Sequence, residues 1–194
     1  TCNVSATRIS DVQGPGATSA FEGKVMDVEA IVTGSFQEQE DGSLLGFFLQ
    51  EEEFDYDEEE RSSEGIFVYA NGFGPQVRIG DRVRVRAQVA ERGGATILSS
   101  LRDLKVCANN QTLPAAIALS LPLNSSTALE AQESMRVTLA QKMTIVFNHD
   151  LGETGELTLS STGIQYHYTE LKAPSVQAFS AYRAQKFAER IILD

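Results

Sequence analysis

One stretch of strict alternation, at residues 81–90, limits the folds open to this chain more than any other feature. Three valines fall on one side of the extended backbone and four polar residues on the other: Val83, Val85 and Val89 against Arg82, Arg84, Arg86 and Gln88. Alternation with a period of two is typical of a β-strand that has one buried face and one solvent-exposed face. The pattern therefore predicts a sheet that covers an apolar core.

Four further strands are predicted around this one. They span residues 24–34, 44–50, 65–70 and 96–106, and turn residues bound them at Asp41-Gly42, Asn71-Gly72 and Gly93-Gly94. A phase slip at residues 27–29 predicts a β-bulge, and Gly93-Gly94 predicts a two-residue hairpin turn with positive φ. Five strands with polar outer faces predict a mainly β fold built on a small closed barrel.

A second, smaller module is predicted to begin at residue 113, where Pro114 and Pro122 flank a stretch without clear period. Its candidate strands are residues 135–139, 143–147, 155–160 and 164–168. Ser175 is placed to cap a helix over about residues 174–190. The apolar residues 191–193 that follow predict the start of a strand, and with it a chain that continues into a further domain.

Two cysteines, Cys2 and Cys107, have no second cysteine or histidine at metal-ligand spacing beside them. A disulfide between them would close a loop around the barrel and would indicate an exported protein. Two free thiols in a cytosolic protein are the alternative. No apolar run approaches the ~18 to 20 residues of a membrane-spanning helix, so membrane insertion is not expected.

Acidic residues dominate the charge, which is −11 overall. Eight carboxylates lie within residues 51–60, and a charge of this sign argues against a purely electrostatic binder of nucleic acid. Three interpretations of this acidic run remain open: a solvated loop, a displaceable cover over the basic strand, or a divalent-cation site. Calcium prefers clustered carboxylates, and the candidate ligands are Glu52, Glu53, Asp55 and Asp57, although the spacing is not that of an EF-hand.

The arginine stripe of the alternating strand, Arg82, Arg84 and Arg86, is the first candidate contact for nucleic acid. Its guanidinium groups would lie on one strand face, roughly 7 Å apart, and could follow the phosphates of a single strand. The alternative is a solvated strand face in which the arginines pair with acids, such as those of residues 51–60.

Aromatic residues on the second and third strands are the second candidate. If Leu49 and Val68 point into the barrel, Phe48, Phe67 and Tyr69 point outward. Outward aromatic rings on these strands could stack nucleic-acid bases with little sequence preference. Alternatively, these rings pack beneath the second module or its helix.

Several segments carry a resemblance to a known family. The strings RISDVQGPGATSAFEGKVMDVEAIVTGSF, LLGFFLQ, SEGIFVY and RIGDRVRVRAQVAE resemble the OB-type domain of large secreted bacterial nucleases over residues 8–107. LPAAIALSLP, GETGELTLSS and the terminal helix resemble the connector that precedes the catalytic domain in that family. The resemblance implies a five-stranded OB-type barrel over residues 1–112 and a β-rich connector over residues 113–194.

The resemblance also implies a function. A nuclease domain of the endonuclease/exonuclease/phosphatase family, which this sequence does not contain, would follow and would use Mg or Ca to hydrolyse phosphodiesters. The present chain would be a secreted, non-catalytic region that requires no cofactor and presents DNA, single-stranded rather than double-stranded, to that domain in cis. The two histidines, His149 and His167, stand in no recognisable nucleophile motif, so no catalytic residue is predicted. A structural spacer, stiffened by calcium, is the alternative function.

Overall fold

Five strands of the chain form a closed ring of hydrogen-bonded neighbours. The computed structural model describes residues 1–38, 43–57, 59, 61–123 and 129–193. The strands are β1 (Val25–Phe36), β2 (Gly46–Gln50), β3 (Gly65–Tyr69), β4 (Arg82–Arg92) and β5 (Ala95–Ala108). Their order is β1-β2-β3-β5-β4, and β4 closes the barrel on β1. All pairs are antiparallel except β3 and β5, which run parallel, and the predicted mainly β fold is confirmed.

The barrel core consists of the inward side chains of all five strands together with the short helix α1 (Ile9–Gln13). Val83, Val85 and Val89 are buried in it, as the alternation predicts, and Ile9 and Val12 of α1 are completely buried. Burial of apolar surface stabilises a fold by about 25 cal/mol per Å². The core therefore secures both the barrel and the N-terminal segment.

The bulge predicted at residues 27–29 is wrong in position. The β1–β4 register is continuous from Val25 to Ile31, and the irregularity in β1 lies between Val32 and Gly34. The phase slip was misread because Val25 and Ile31 belong to the outer face, although both are apolar. The inward residues of β1 alternate regularly, and they are Met26, Val28, Ala30 and Val32.

Two local predictions in the first part of the chain are confirmed. Gly93 and Gly94 join β4 to β5 with φ values of +63° and +88°, the conformation that favours glycine in a two-residue hairpin. Cys2 and Cys107 form a disulfide across 105 residues of sequence. The disulfide ties the N-terminus to the end of β5. The Asp41-Gly42 turn lies outside the described residues.

The chain divides into two compact units at places other than residue 113. The first unit comprises Thr1–Ile117 and Leu129–Val137, and the second comprises Ala118–Ala128 and Thr138–Asp194. Residues 129–137 belong to the first unit because Glu133 bonds to it. Its carboxylate accepts hydrogen bonds from Gln13 Nε2 (3.1 Å) and Thr96 N (3.0 Å), and its carbonyl accepts one from Ser63 Oγ (2.6 Å).

Two short strands, β6 (Ile117–Leu119) and β7 (Val137–Leu139), pair with each other where the chain passes from one unit to the other. The second unit contains a three-stranded antiparallel sheet in the order β10-β9-β8. Its strands are β8 (Thr144–Phe147), β9 (Leu157–Ser160) and β10 (Arg190–Leu193). The strand predicted at residues 191–193 is thus present.

Two helices complete the second unit, α2 (Tyr168–Leu171) and α3 (Val176–Ala188). Ser175 caps α3 as predicted, since its Oγ accepts a hydrogen bond from Ala178 N. The strand predicted at residues 164–168 is wrong. Glu170 accepts a hydrogen bond from the backbone N–H of His167 at 3.0 Å, which starts the helical turn of α2 in its place.

Candidate nucleic-acid interface

The arginine stripe lies on the outer face of β4, directly opposite two acids of β1. The β1–β4 register places Asp27 beside Arg86 and Glu29 beside Arg84. Arg84 is held most firmly: its Nη1 lies 3.2 Å from Glu29 Oε2, and its guanidinium also donates to the carbonyls of Val4 and Ser5. Its side chain is only 9% exposed. Arg84 therefore fastens the N-terminal segment to the barrel.

The other two arginines are also paired with carboxylates. Arg82 donates to Asn3 Oδ1 at 2.6 Å and lies 3.7 Å from Glu29 and 4.0 Å from Glu52. Arg86 is paired with Asp27, but half of its side chain stays exposed. The acids of β1 compensate most of the stripe's charge, and of the acidic run only Glu52 takes part among the described residues. The alternation of Asp27 and Glu29 on the outer face of β1 was the sequence signal for this pairing.

Three of the four candidate calcium ligands, Glu52, Glu53 and Asp57, have separate partners in the structure. Glu53 Oε1 accepts a hydrogen bond from Ala115 N at 2.9 Å, and Glu52 faces Arg82. The carboxylate of Asp57 accepts hydrogen bonds from Glu59 N and Ser62 Oγ. Glu58 and Glu60 lie outside the described residues. Within the described residues, no group of three or more acidic, histidine or cysteine side chains is arranged to hold a metal ion.

Glu51, at the start of the acidic run, and Glu64, just after it, are buried, which the sequence did not indicate. Glu51 is 3% exposed, and its Oε1 accepts a hydrogen bond from Ile9 N at 2.8 Å. Burial raises the pKa of Glu51 to about 8. Burial also raises the pKa of Glu64, whose carboxylate accepts a hydrogen bond from Asp57 N at 2.9 Å. Both side chains help to hold the loop and α1 against the barrel.

The aromatic face, defined as Phe36, Phe48, Phe67 and Tyr69, lies on the outside of β1, β2 and β3. Phe48 and Phe67 are cross-strand neighbours with ring centroids 4.9 Å apart, and Phe36 meets Phe48 edge-on at 6.0 Å. Phe36 is 48% exposed and the other three side chains are partly exposed. The outward orientation predicted for Phe48, Phe67 and Tyr69 is what the structure shows, and Phe36 was missed because β1 extends beyond the predicted strand end.

Two glycines leave room for these rings next to the sheet. A Cβ atom on Gly46 would lie 2.5 Å from the ring of Phe67 and 2.2 Å from the carbonyl oxygen of Val68. A Cβ atom on Gly34 would lie 3.1 Å from Phe36. Glycine at both cross-strand positions therefore allows the phenyl rings to form a continuous surface.

Arg92 closes one end of the aromatic face. Its guanidinium lies 4.9 Å from the ring centroid of Tyr69, within the range of a cation–π contact. Tyr69 and Arg92 also line an open cavity of about 550 Å³, which they share with Phe73 and Ile97. Stacking surface and positive charge thus meet at this end of the face.

The two histidines lie in the second unit. His149 begins an exposed 3₁₀ turn and its ring centroid is 6.1 Å from that of Phe147. His167 precedes α2, with Nδ1 at 2.9 Å from Thr169 Oγ1. The absence of a catalytic role for either residue stays a prediction.

Comparisons with protein-family models, with curated proteins and with solved structures gave no match. In the described part of the chain, none of the helices has both the length and the apolar character needed to cross a membrane.

Proposed function

We propose that this chain is a non-catalytic accessory region that binds single-stranded nucleic acid through the aromatic face of its barrel. The observation that carries the proposal is the continuous surface of Phe36, Phe48 and Phe67, which ends at the Tyr69–Arg92 pair. Base stacking on an aromatic side chain contributes about 1–3 kcal/mol per base. Only unpaired bases offer their flat faces to such a surface, so a single strand fits it better than a duplex.

The charge distribution supports stacking as the main source of affinity. The whole chain carries −11, and Arg82 and Arg84 are engaged with carboxylates and backbone groups. Among the four arginines of β4, Arg92 and the half-exposed Arg86 are the ones best able to reach phosphates. Each phosphate contact on a single strand contributes about −0.7 to the slope of log K against log salt. We therefore expect a shallow slope, about −1.4 for two contacts.

The first test replaces Phe67 with alanine and measures the fluorescence anisotropy of a labelled single-stranded oligonucleotide. Loss of one stacking ring should weaken binding at least fivefold, the equivalent of about 1 kcal/mol. Phe54→Ala is the matched control, because Phe54 is 76% exposed and lies in the acidic run. Circular dichroism checks that both variants fold. Equal affinity of Phe67→Ala and the unchanged protein would contradict the proposal.

We further propose that the bound strand is delivered to a nuclease domain in the same polypeptide, outside the cell. The resemblance to secreted bacterial nucleases supports the partner, and hydrolysis with Mg or Ca would belong to that domain. The Cys2–Cys107 disulfide supports an oxidising compartment. In an assay with the complete parent chain, Phe67→Ala should slow the degradation of long single strands more than that of dinucleotides.

A structural spacer is the second candidate. The pairing of the arginine stripe favours a spacer. The ion pairs with Asp27 and Glu29 stabilise the barrel and leave less positive charge available to bind a ligand. A spacer stiffened by calcium would show a melting temperature that rises with calcium and does not respond to DNA, since a ligand of the folded state raises apparent stability. A melting temperature that rises with the oligonucleotide and ignores calcium would contradict it.

A further inference from the structure

One face of α3 combines aromatic and basic side chains, and this face lies wholly within the second unit. Phe179, Tyr182, Arg183, Lys186, Phe187 and Arg190 recur at the three- and four-residue spacing of a helix face that continues into β10. Together with residues 166–168 they line an open cleft of about 580 Å³. The cleft shares no residue with the aromatic face of the barrel.

The aromatic rings of the cleft form a packed wall. The ring centroid of Tyr168, which is buried, lies 5.8 Å from that of Phe179 and 5.6 Å from that of Tyr182. The hydroxyl of Tyr182 donates a hydrogen bond to the carbonyl oxygen of Tyr166, which fixes the ring. Phe187 is 75% exposed at the rim. The cleft therefore exposes the phenyl ring of Phe187 to solvent, together with the fixed rings of Tyr168, Phe179 and Tyr182 in its wall.

The charge of the cleft has the opposite sign to that of the chain. Arg183, Lys186 and Arg190 line it, and its lining includes no carboxylate among the described residues. Lys186 is paired with Glu189 at 2.7 Å, whereas Arg183 and Arg190 are exposed and no described acid lies within ion-pair distance of either. Arg183 lies over the ring of Phe179, 5.7 Å from its centroid, and Arg190 Nε donates a hydrogen bond to Gln165. Two guanidinium groups thus stand against the aromatic wall in a protein of charge −11.

We propose that this cleft binds a nucleotide, with the base against the aromatic wall and the phosphate between Arg183 and Arg190. A planar ring and an anionic group in one ligand match the two parts of the cleft, since bases stack on aromatic side chains and guanidinium groups bind phosphate oxygens. The nucleotide is either free or one residue of a nucleic-acid strand. This site stands on its own observations and does not rest on the barrel's aromatic face.

The test follows amide resonances of the ¹⁵N-labelled full chain during titration with AMP, adenosine, inorganic phosphate and a short oligoadenylate. AMP should cause saturable shifts in α3 and residues 166–168, and adenosine or phosphate alone should bind at least about tenfold more weakly, as expected for loss of a charged hydrogen bond or a stacking contact. Tighter binding of the oligoadenylate than of AMP assigns the ligand to a strand, and the reverse assigns it to a free nucleotide.

Two variants with matched controls complete the experiment. Arg183→Gln and Phe187→Ala both remove exposed groups. Arg183→Gln should weaken the binding of AMP about tenfold, and Phe187→Ala should weaken it about fivefold. Lys142→Gln and Phe147→Ala change an exposed cation and an exposed ring of the second unit outside the cleft, and should leave the affinity unchanged. Phe67→Ala should also leave it unchanged, which separates this site from the barrel surface.

The proposal is overturned by any of three results. These are the lack of saturable shifts in the cleft with AMP and oligoadenylate up to about 10 mM, phosphate binding as tightly as AMP, or equal affinities of Arg183→Gln, Phe187→Ala and the unchanged protein.

Discussion

At the residue scale, the buried carboxyl of Glu51 links stability to pH. Its pKa is about 8 in the folded chain, against about 4.3 for an exposed glutamate. Between about pH 4.3 and about pH 8, the carboxyl of Glu51 is therefore protonated in the folded state and ionised in the unfolded state. Because the pKa is raised on folding, the stability from this group is complete below about pH 4.3 and is lost as the pH rises towards 8. Glu64 and Glu133, whose pKa values burial also raises, act in the same direction.

Urea unfolding at pH 6 and pH 8.5 tests this linkage. We expect the free energy of unfolding to fall over this interval by at least about 1 kcal/mol. Glu51→Gln should remove most of the fall because an amide does not titrate, while it keeps an acceptor for Ile9 N. Glu22→Gln, a change at an exposed acid, should keep the slope of the unchanged protein. Stability that is flat or rises between the two pH values would show that Glu51 is not protonated in the fold.

At the scale of elements, the pairing of β4 with β1 makes the arginines of the stripe contribute unequally to the stability of the fold. Arg84 is enclosed by Glu29 and by the carbonyls of Val4 and Ser5, whereas Arg86 shares one carboxylate and remains half exposed. Removing one partner of a buried, hydrogen-bonded ion pair leaves the other without compensation, but exposed pairs contribute little.

Substitution by methionine, which keeps the length of the side chain, separates these roles. Arg84→Met should destabilise the fold by about 3 kcal/mol, and Arg86→Met by less than about 1 kcal/mol. Chemical denaturation of the two variants measures the difference, and each serves as the other's control because both residues lie on the outer face of β4. Equal losses would mean that Arg84 does not clamp the N-terminal segment.

The elements also show what the sequence could reveal. Period-two patterns predicted the strands of the barrel because inward apolar residues alternate with outward polar residues along each strand. This alternation is visible in the local sequence of the strand itself. The assignment of residues 129–137 to the first unit depends on Glu133 meeting Gln13 and Thr96, partners far away in sequence. The same holds for Phe36, which joins the aromatic face only through the β1–β2 register. Contacts of this kind have no local signature.

At the scale of the whole molecule, an acidic chain carries two surfaces on which aromatic rings stand next to cations, one on each compact unit. The barrel surface was predictable in outline, since outward Phe48, Phe67 and Tyr69 follow from alternation. The cleft on α3 was not predicted, because its aromatic wall forms only where Tyr168 meets Phe179 and Tyr182 in space. Both surfaces direct attention to ligands with flat aromatic groups and negative charge, despite the net charge of −11.

The central claim, that nucleic-acid bases stack on the aromatic face of the barrel, is tested most directly by the ring resonances of the phenylalanines. A single-stranded oligothymidylate should shift the ring protons of Phe36, Phe48 and Phe67 upfield with one common dissociation constant. Phe54, exposed on the acidic loop, provides the internal reference and should not move. Binding that leaves these three rings unshifted, or no binding at millimolar protein, would contradict the account.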